Sequence, residues 1–360
     1  MINIPINASR RYNVVMEKGT LKGAGFFLEE AFGSADKKLC IITDETVDAL
    51  YGKKTHTLIP SLEVAGYKVF KYSFKGGELD KTMETVHAIL EFLASKGFTR
   101  NDALVALGGG IVGDVAGFAA ATYMRGIQYV QIPTTFLAIV DSSIGGKTGV
   151  NLSSGKNLAG AFWQPSLVLF DCNVLETLPY ENKLDGIAEA IKAGVIAEPL
   201  ILEAIASKQT LDDAEFLMNL ASLAIDVKKK IVEEDELESQ NRQLLNFGHT
   251  IAHAIEKCSS YKISHGHAVA TGMAVVAKSS YTLGWTTQAC RDEILETIER
   301  FHFSLLCPFS PWELADAASK DKKIHNDLIT LVIPTALGKC TLKTIPLSKL
   351  EQFISYGLTQ

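Results

Sequence analysis

Residues 103–121 read ALVALGGGIVGDVAGFAAA, in which two apolar runs flank a cluster of glycines. Ala103–Leu107 is typical of a buried strand, and Val115–Ala121 is typical of a helix. The glycines between them match the dinucleotide-binding pattern, Gly108-x-Gly110-x-x-Gly113. Such glycines let a pyrophosphate approach the N-terminus of the helix, where unpaired N–H groups favour an anion. The stretch therefore predicts either a nucleotide-binding turn or a tight strand-to-helix turn without a ligand.

The acidic residue that usually completes this pattern is missing from its usual place. It is expected about 20 residues further on, at the end of the next strand, but Tyr129–Pro133 contains no acidic side chain. Asp44 ends the predicted strand Leu39–Thr43 and is one alternative contact for the ribose. Glu78 follows the predicted strand Val69–Phe74 and is another. If the turn binds NAD, it does so in a variant of the Rossmann mode.

Strand and helix patterns alternate through the first half of the chain. Lys81–Lys96 has the apolar spacing of an amphipathic helix. Buried strands are predicted at Leu39–Thr43, Val69–Phe74, Asn101–Leu107, Tyr129–Pro133 and Leu167–Asp171. This alternation indicates an α/β domain with a Rossmann-like, mostly parallel sheet that helices cover on both faces.

The pattern changes near Leu178, after which helical segments dominate. They are predicted at Leu184–Val195, Pro199–Ser207, Asp212–Glu234, Arg242–Lys257, His267–Leu283 and Arg291–Phe301. We therefore predict an α/β domain over residues 1–178 and a wholly helical domain over residues 179–360.

Composition excludes several classes of protein. The 360-residue chain is long enough for two cores, and its net charge of −6 argues against a nucleic-acid partner. The six cysteines form no CxxC pair, which argues against a zinc knuckle or a disulfide framework. The N-terminus lacks the apolar segment of a signal peptide. No uncharged apolar run reaches about 18 residues, so we expect no membrane partner and a cytoplasmic location.

Residues 132–157 read IPTTFLAIVDSSIGGKTGVNLSSGKN and combine small residues with positive charge. Lys147 and Lys156 each follow a glycine. Small residues let backbone N–H groups approach a ligand, and lysines among them suit an anion, most often phosphate. The same stretch contains Thr134, Thr135, Asp141 and Asn157. We interpret it as part of a binding site for a phosphorylated ligand.

Two predicted helices in the second half carry polar stripes. Residues at i, i+4, i+7 and i+11 fall on one face of a helix, and four polar residues have this spacing: Arg242, Asn246, His249 and His253. Asp185, Glu189 and Lys192 form a second stripe. Internal hydrogen bonding and an ordinary ion pair are the alternative interpretations.

Histidines and carboxylates of these helices are candidates for a metal site. A carboxylate from one helix and histidines from another helix or a turn suit a catalytic zinc site with an open position. Spacing alone favours His249 and His253 as a ligand pair, since residues at i and i+4 share a face. His265 and His267 are further candidates, and spacing does not choose among the four.

At the level of whole motifs the chain resembles the 3-dehydroquinate synthases of the sugar-phosphate cyclase group. The motifs run through most of the chain and are GGGIVGDVAGFAAATYMRG, QIPTTFLAIVDSSIGGKTGVN, GKN, GAFWQP, LETLP, GIAEAIK, RQLLNFGHT and HGHAV. The related iron-dependent alcohol and glycerol dehydrogenases share the glycine turn but lack the DSSxGGKTxxN and GKN combination. The resemblance implies a Zn²⁺ or Co²⁺ ion held by Glu189, His249 and His265. It makes His253 a second catalytic or substrate-orienting group.

The resemblance also implies residues for the substrate and for NAD. Substrate contacts are implied for Asp141, Lys147, Lys156, Asn157, Lys192, Lys228, Arg242, Asn246, His253 and Lys322. Contacts with or near NAD are implied for Asp44, Glu78, Lys81, Gly109, Gly110, Gly113, Asp114, Thr134, Thr135, Lys147, Lys156 and Thr177. Because these residues come from both domains, the active site is expected in the cleft between them. A homodimer is also implied.

The implied reaction belongs to the shikimate pathway of aromatic amino acid biosynthesis. It converts 3-deoxy-D-arabino-heptulosonate 7-phosphate into 3-dehydroquinate and phosphate through transient oxidation by NAD, β-elimination, reduction, ring opening and an aldol step. The alternatives are an NAD-dependent polyol or glycerol dehydrogenase, another sugar-phosphate cyclase and a non-catalytic homologue. A non-catalytic homologue is expected to have lost metal ligands or lysines, and none of the implied ones is missing.

The chain departs from the usual family pattern at three places. His267 stands where the family usually has glutamate, in the HGE motif, and it could compete for metal or replace a structural carboxylate. Ala252 precedes His253 where the family has a second Gly-His pair. Glu181-Asn182 replaces an Arg-Glu pair after the LPx motif. None of these departures removes an implied catalytic residue.

Overall fold

The computed structural model describes residues 1–53, 56–208, 210–239, 241–319 and 327–358. The chain folds into two compact units. One comprises Met1–Pro179 with Asp212–Met218, and the other comprises Tyr180–Leu211 with Asn219–Gln360. None of the described helices is long and apolar enough to cross a membrane.

The first unit is built on a seven-stranded sheet in the order β1-β2-β9-β6-β5-β3-β4. The strands are β1 (Ile2–Asn7), β2 (Arg11–Glu17), β3 (Lys38–Asp44), β4 (Lys68–Phe74), β5 (Ala103–Gly108), β6 (Gln128–Pro133), β7 (Lys147–Leu152), β8 (Gly155–Phe162) and β9 (Leu167–Asp171). Only the pairing of β1 with β2 is antiparallel within this sheet. β7 and β8 form a separate antiparallel hairpin. The predicted parallel sheet is therefore confirmed.

Five of the described α-helices lie wholly in the first unit. They are α1 (Ala24–Phe32), α2 (Glu45–Tyr51), α3 (Leu58–Val64), α4 (Met83–Ser95) and α5 (Gly110–Thr122). Of these, α4 and α5 were predicted by residue range. The amphipathic helix predicted over Lys81–Lys96 is α4, which buries Val86, Ile89 and Leu93. Thr82 is the N-cap residue of α4, and its side chain accepts a hydrogen bond from the N–H of Thr85. Strands β1 and β2 and the hairpin of β7 and β8 were not among the predicted elements.

The second unit is mainly helical, as predicted, but it is not wholly helical. Its helices are α6 (Tyr180–Ile196), α7 (Leu200–Ala206), α8 (Ala214–Glu234, of which Asn219 onward belongs to this unit), α9 (His249–Cys258), α10 (His265–Thr282), α11 (Gln288–Arg300), α12 (Pro311–Ser319) and α13 (Leu350–Leu358). A hairpin of β10 (Leu328–Ala336) and β11 (Lys339–Pro346) is added to them. Its turn contains Gly338 at a φ of 71°, which L residues rarely adopt. The wholly helical prediction is corrected by this hairpin.

The predicted single helix Arg242–Lys257 is wrong. Asn241–Asn246 is a short 3₁₀ helix, and α9 begins only at His249. Gly248 separates the two with a φ of 77°, which breaks the α-helical path. A Cβ at Gly248 would also lie 2.8 Å from the backbone nitrogen of Met273 in α10. Close packing of this turn against α10 therefore requires glycine and sets the start of α9.

Candidate active site

The residues predicted to contact NAD follow the ends of parallel strands in the first unit. Asp44 ends β3, Glu78 follows β4, Gly109–Asp114 follows β5 and Thr134–Thr135 follows β6. The carboxyl ends of parallel strands lie at one edge of a sheet, which is where open α/β sheets bind ligands. The backbone N–H of Thr134 donates to the carbonyl of Gly108 at 3.0 Å, which joins two of these strand ends directly.

The glycine turn packs closely against its surroundings. A Cβ at Gly113 would lie 2.7 Å from Oε1 of Gln131, and one at Gly110 would lie 2.8 Å from Oγ of Ser142. Gly109 precedes α5 and supplies no side chain to cap its first-turn N–H groups. The glycines thus bring the N-terminus of α5 close to the sheet while leaving that end without a capping side chain, as the nucleotide-binding interpretation requires.

Asp44 ends the strand that neighbours β5, the strand before the glycine turn. β3 pairs with β5, so Asp44 and Gly108 end neighbouring strands. The Asp44 carboxylate accepts a hydrogen bond from the N–H of Val47 at 2.9 Å and caps α2. Thr177, after the 3₁₀ helix Cys172–Glu176, lies with its hydroxyl 2.5 Å from the Tyr51 hydroxyl.

A buried lysine, Lys81, connects two other predicted site residues. Lys81 is 5% exposed, and its Nζ lies 2.5 Å from Oδ2 of Asp114 and 2.6 Å from Oδ1 of Asn157. Burial raises the pKa of the Asp114 carboxyl, and the positive charge of Lys81 opposes that rise. Lys81 thereby connects the N-terminal part of α5 with the strand β8, which also carries Lys156.

Replacing Lys81 by methionine should destabilise the folded protein by about 3–5 kcal/mol at pH 8. The Asp114 carboxylate, whose side chain is only 19% exposed, would then lack its cation, and its folded-state pKa would lie still further above the unfolded value. A raised folded-state pKa gives stability at low pH that is lost as the pH rises through it. Thermal unfolding at pH 5 and pH 8 should show the larger loss at pH 8. The double variant Lys81→Met/Asp114→Asn should regain most of it, and a loss equal at both pH values would contradict the explanation.

Asn151 belongs to the same network, although the sequence analysis did not select it. Its Nδ2 donates to Oε1 of Glu78 at 2.8 Å, and its Oδ1 accepts from the N–H of Asn157 at 3.0 Å. Lys156 Nζ lies 3.5 Å from the same Glu78 oxygen. Asn157 has a φ of 53°, an uncommon conformation that this hydrogen bond supports. Asn151 could have been selected from the sequence, because it is the last residue of the GKTGVN motif.

The glycine- and lysine-rich stretch, residues 132–157, contains regular secondary structure. Thr135 Oγ1 accepts from the N–H of Ala138 at 3.1 Å, and a π-helical turn, Ala138–Ser142, then carries Asp141. Lys147 is the first residue of β7 and is exposed. The predicted phosphate-binding stretch therefore consists of a strand end, a π-helical turn and a hairpin.

In the second unit, a buried carboxylate faces two imidazole rings. Oε1 of Glu189, in the middle of α6, lies 3.4 Å from Nε2 of His249 and 3.3 Å from Nε2 of His265. The two histidines are the first residues of α9 and α10. The potential ligand atoms of the three residues all lie within 4.8 Å of one another. Among the described residues, this is the group of carboxylate, imidazole and thiol side chains that could hold a metal ion.

The other imidazole nitrogens are held by second contacts. Nδ1 of His249 lies 3.1 Å from the carbonyl oxygen of Phe247, and Nδ1 of His265 lies 3.5 Å from Oε1 of Glu256. Such contacts orient the ring and direct Nε2 toward a metal ion. Glu256 was not selected from the sequence, although its position seven residues after His249 places it on the same helix face.

The group fits a divalent cation. Glu189 is 2% exposed, and no contact of its two carboxylate oxygens with a described residue has the geometry of a hydrogen bond. Lys192 forms an ion pair with it. Burial lowers the pKa of His265, but Glu189 and Glu256 outweigh this effect and raise it to about 10. A bound cation would replace that proton between the carboxylate and the imidazole. One carboxylate and two imidazoles leave an open position for a substrate oxygen.

His253 lies beside this group and not within it. Its ring centroid is 5.6 Å from that of His249 and 6.4 Å from that of His265. The His249 and His253 pair that spacing favoured is therefore not the pair that faces Glu189. His267 does not join the group either, because its Nε2 lies 3.3 Å from Oε2 of Glu181. Two of the three departures from the family pattern thus contact each other.

The remaining predicted substrate residues of the second unit lie on several elements. Arg242 is buried in the 3₁₀ helix and donates to the carbonyl of Glu236. Asn246 ends that helix, and its Nδ2 donates to Oε1 of Glu238 at 2.9 Å. The break at Gly248 therefore separates these two from the helix face that carries the histidines. Lys228 is buried in α8, and Lys322 lies outside the described residues.

Comparison with known proteins identifies the family of the chain. Models of the 3-dehydroquinate synthase N-terminal and C-terminal domains match residues 71–185 and 186–324. The 3-dehydroquinate synthase of Streptococcus gordonii is 41% identical over 359 residues, which cover 98% of each chain. The chain belongs to the 3-dehydroquinate synthase family. The family member from Streptococcus mutans is 39% identical over 365 residues and covers 98% of this chain and 99% of its own.

Solved structures similar to this 3-dehydroquinate synthase family member include other sugar-phosphate cyclases. A 2-deoxy-scyllo-inosose synthase complexed with carbaglucose-6-phosphate, NAD⁺ and Co²⁺ is 26% identical, with a TM-score of 0.85 and coverage of 98% of this chain and 99% of that one. ValA, a 2-epi-5-epi-valiolone synthase from Streptomyces hygroscopicus with NAD⁺ and Zn²⁺ bound, is 26% identical, with a TM-score of 0.86 and 96% coverage of each chain. Glycerol dehydrogenase from Schizosaccharomyces pombe, at 14% identity and a TM-score of 0.67, shares the fold alone.

Proposed function

We propose that this protein converts 3-deoxy-D-arabino-heptulosonate 7-phosphate into 3-dehydroquinate and phosphate, with NAD and a Zn²⁺ or Co²⁺ ion as cofactors. The observation that carries the proposal is the network of Lys81, Glu78 and the β8 residues Lys156 and Asn157. It joins a lysine suited to a sugar phosphate to the sheet edge predicted to bind NAD. Similarity to 3-dehydroquinate synthases over nearly the whole chain supports it.

The two cofactors would be held by separate sets of residues. Gly109–Asp114 and Thr134–Thr135 would hold NAD, and Glu189, His249 and His265 would hold the ion. NAD would supply a hydride acceptor and donor within one turnover, and the ion would supply Lewis acidity at substrate hydroxyl oxygens. The assignment of these residues rests on the family resemblance and on the contacts described above.

Positive side chains would bind the two acidic ends of the substrate. Lys156, Asn157 and Arg242 suit the phosphate, whose departure they would assist by stabilising negative charge, and Lys322 is predicted to join them. Lys147, Lys192 and Lys228 suit the substrate carboxylate and hydroxyl groups.

The proposed reaction is a series of chemical steps on the substrate, and protons would move in several of them. A ketone at C5 would acidify the C6 proton and so permit loss of phosphate by β-elimination, with the substrate phosphate itself as a candidate base. Once the C5 alcohol is restored, ring opening and an intramolecular aldol reaction would close the carbocycle. Asp141 and His253 are the candidates for relaying the proton at the hydroxyl that is oxidised.

Simultaneous measurement of phosphate and NADH tests this function. With metal-loaded protein, the heptulosonate 7-phosphate and substoichiometric NAD, we expect many phosphates per NAD and no net NADH. A polyol or glycerol dehydrogenase would instead accumulate NADH on polyols and release no phosphate. Phosphate with a different ring product would indicate another sugar-phosphate cyclase, and neither product would indicate a non-catalytic homologue. A homodimer and a cytoplasmic location remain predictions from the sequence.

A further inference from the structure

Two acidic residues of α6 face the start of α10. Asp185 and Glu189 are four residues apart, so they lie on the same side of α6. Oδ1 of Asp185 accepts a hydrogen bond from Oγ of Ser264 at 2.6 Å and another from the N–H of Gly266 at 3.0 Å. Asp185 is 8% exposed and Gly266 is buried, so the hydrogen bond between them is shielded from water, whereas Ser264 is exposed.

Asp185 supplies the cap that α10 does not supply for itself. Ser264 is the N-cap residue of α10, but its side chain makes no capping hydrogen bond within that helix. The carboxylate of Asp185, on α6, caps α10 instead, because it accepts a hydrogen bond from an N–H group in the first turn of α10. Negative charge at this end of a helix is also favoured by the helix dipole.

The backbones of the two helices touch at the same point. A Cβ at Gly266 would lie 2.2 Å from Cα of Asp185 and 2.5 Å from its carbonyl oxygen. His265 stands between the two residues that Asp185 holds, Ser264 and Gly266. Its Nε2 lies 3.3 Å from Oε1 of Glu189, one turn further along α6.

We propose that Asp185 is a positioning residue that fixes the His265 imidazole opposite the Glu189 carboxylate, and thereby sets the affinity and geometry of the metal site. The proposal rests on the metal-binding role proposed above. Asp185 itself does not belong to the group of potential ligands. Its effect passes through the backbone on both sides of His265, whereas Glu256 acts on the ring nitrogen of the same histidine.

Titration of the metal-free full-length protein with Co²⁺, followed by visible absorption, tests the proposal. Asp185→Ala removes the hydrogen bonds from Ser264 and Gly266, and also the 3.4 Å contact of Oδ1 with Nδ1 of His267. It should weaken Co²⁺ binding by about 10- to 100-fold, with an altered d–d spectrum. Asp185→Asn keeps an oxygen that accepts both hydrogen bonds and should restore most of the affinity. Glu181→Gln is the matched control, because Glu181 is also on α6 and contacts His267 but has a side chain that is 75% exposed. It should bind Co²⁺ like the wild type.

A third variant keeps the test decisive if Asp185→Ala does not fold. Ser264 is exposed, so Ser264→Ala should fold. It removes one hydrogen bond to Asp185 and the 2.9 Å contact of Oγ with Nδ1 of His267. It should weaken Co²⁺ binding by about 2- to 10-fold. Wild-type affinity and spectrum in folded Asp185→Ala, or in Ser264→Ala if the former does not fold, would overturn the proposal. Two other results would instead reject the proposed metal site. One is that the wild type does not bind Co²⁺, and the other is that Glu189→Ala binds it as well as the wild type does.

Discussion

Glu189→Ala should abolish stoichiometric binding of Zn²⁺ or Co²⁺ and lower phosphate release by a factor on the order of 10³. Glu189 is the only carboxylate in the group that it forms with His249 and His265, as far as the described residues extend. Two neutral imidazoles alone neither neutralise the ion nor complete three protein ligands, which is the usual number in catalytic zinc sites.

Metal content after dialysis and the rate of phosphate release together measure this effect. Glu203→Ala is the matched control, because Glu203 is an exposed glutamate of the same unit, on α7. The variant must also be shown to fold, since Glu189 forms a buried ion pair with Lys192. Glu189→Gln preserves the volume of the side chain and serves that purpose. Retention of one tightly bound ion by a folded Glu189→Gln protein, together with wild-type turnover, would remove Glu189 from the proposed site.

Lys156→Ala should lower kcat/KM for the heptulosonate 7-phosphate by about 10²- to 10³-fold, the loss typical of removing one group that stabilises developing negative charge. The side chain of Lys156 is 26% exposed and its described ion-pair partner is Glu78 at 3.5 Å, a pair near the surface that contributes little to stability. Thermal unfolding should therefore be unchanged, which separates the loss of activity from a loss of fold.

The control for this variant is another lysine of the first unit. Lys22 is exposed on the 3₁₀ helix Thr20–Gly23, and Lys22→Ala should leave both kcat/KM and unfolding unchanged. Turnover close to the wild type in Lys156→Ala would reject the role of Lys156 in binding the phosphate. The metal-binding prediction for Glu189 would be unaffected, because it rests on different residues.

The parallel sheet of the first unit could be predicted because its signals are local. β3, β5 and β9 are short apolar runs, and α4 has the period of an amphipathic helix. The edge strand β1 was missed because it alternates exposed and buried residues, contains Pro5 and pairs only with β2 in the sheet. A half-exposed edge strand carries a weaker apolar signal than a strand buried on both faces.

The stripe from Arg242 to His253 failed for a different reason. Helical spacing assumes a continuous helix, and Gly248 interrupts it with a φ of 77°. Glycine inside a helical pattern is tolerated often enough that its presence alone does not predict a break. Here the close approach of Met273 in α10 accompanies the break, and that contact joins segments distant in the sequence.

Local patterns in the chain were sufficient for the strands that follow one another in the parallel sheet, for the glycine turn before α5 and for the helical character of the second unit. Spacing could not select the potential metal ligands, and the family resemblance supplied Glu189, His249 and His265 as a set. Their approach to one another depends on the packing of α6, α9 and α10, in which Asp185 holds the start of α10. Contacts between residues far apart in the chain leave no periodic signal, because periodicity records only which side of its own element a residue occupies.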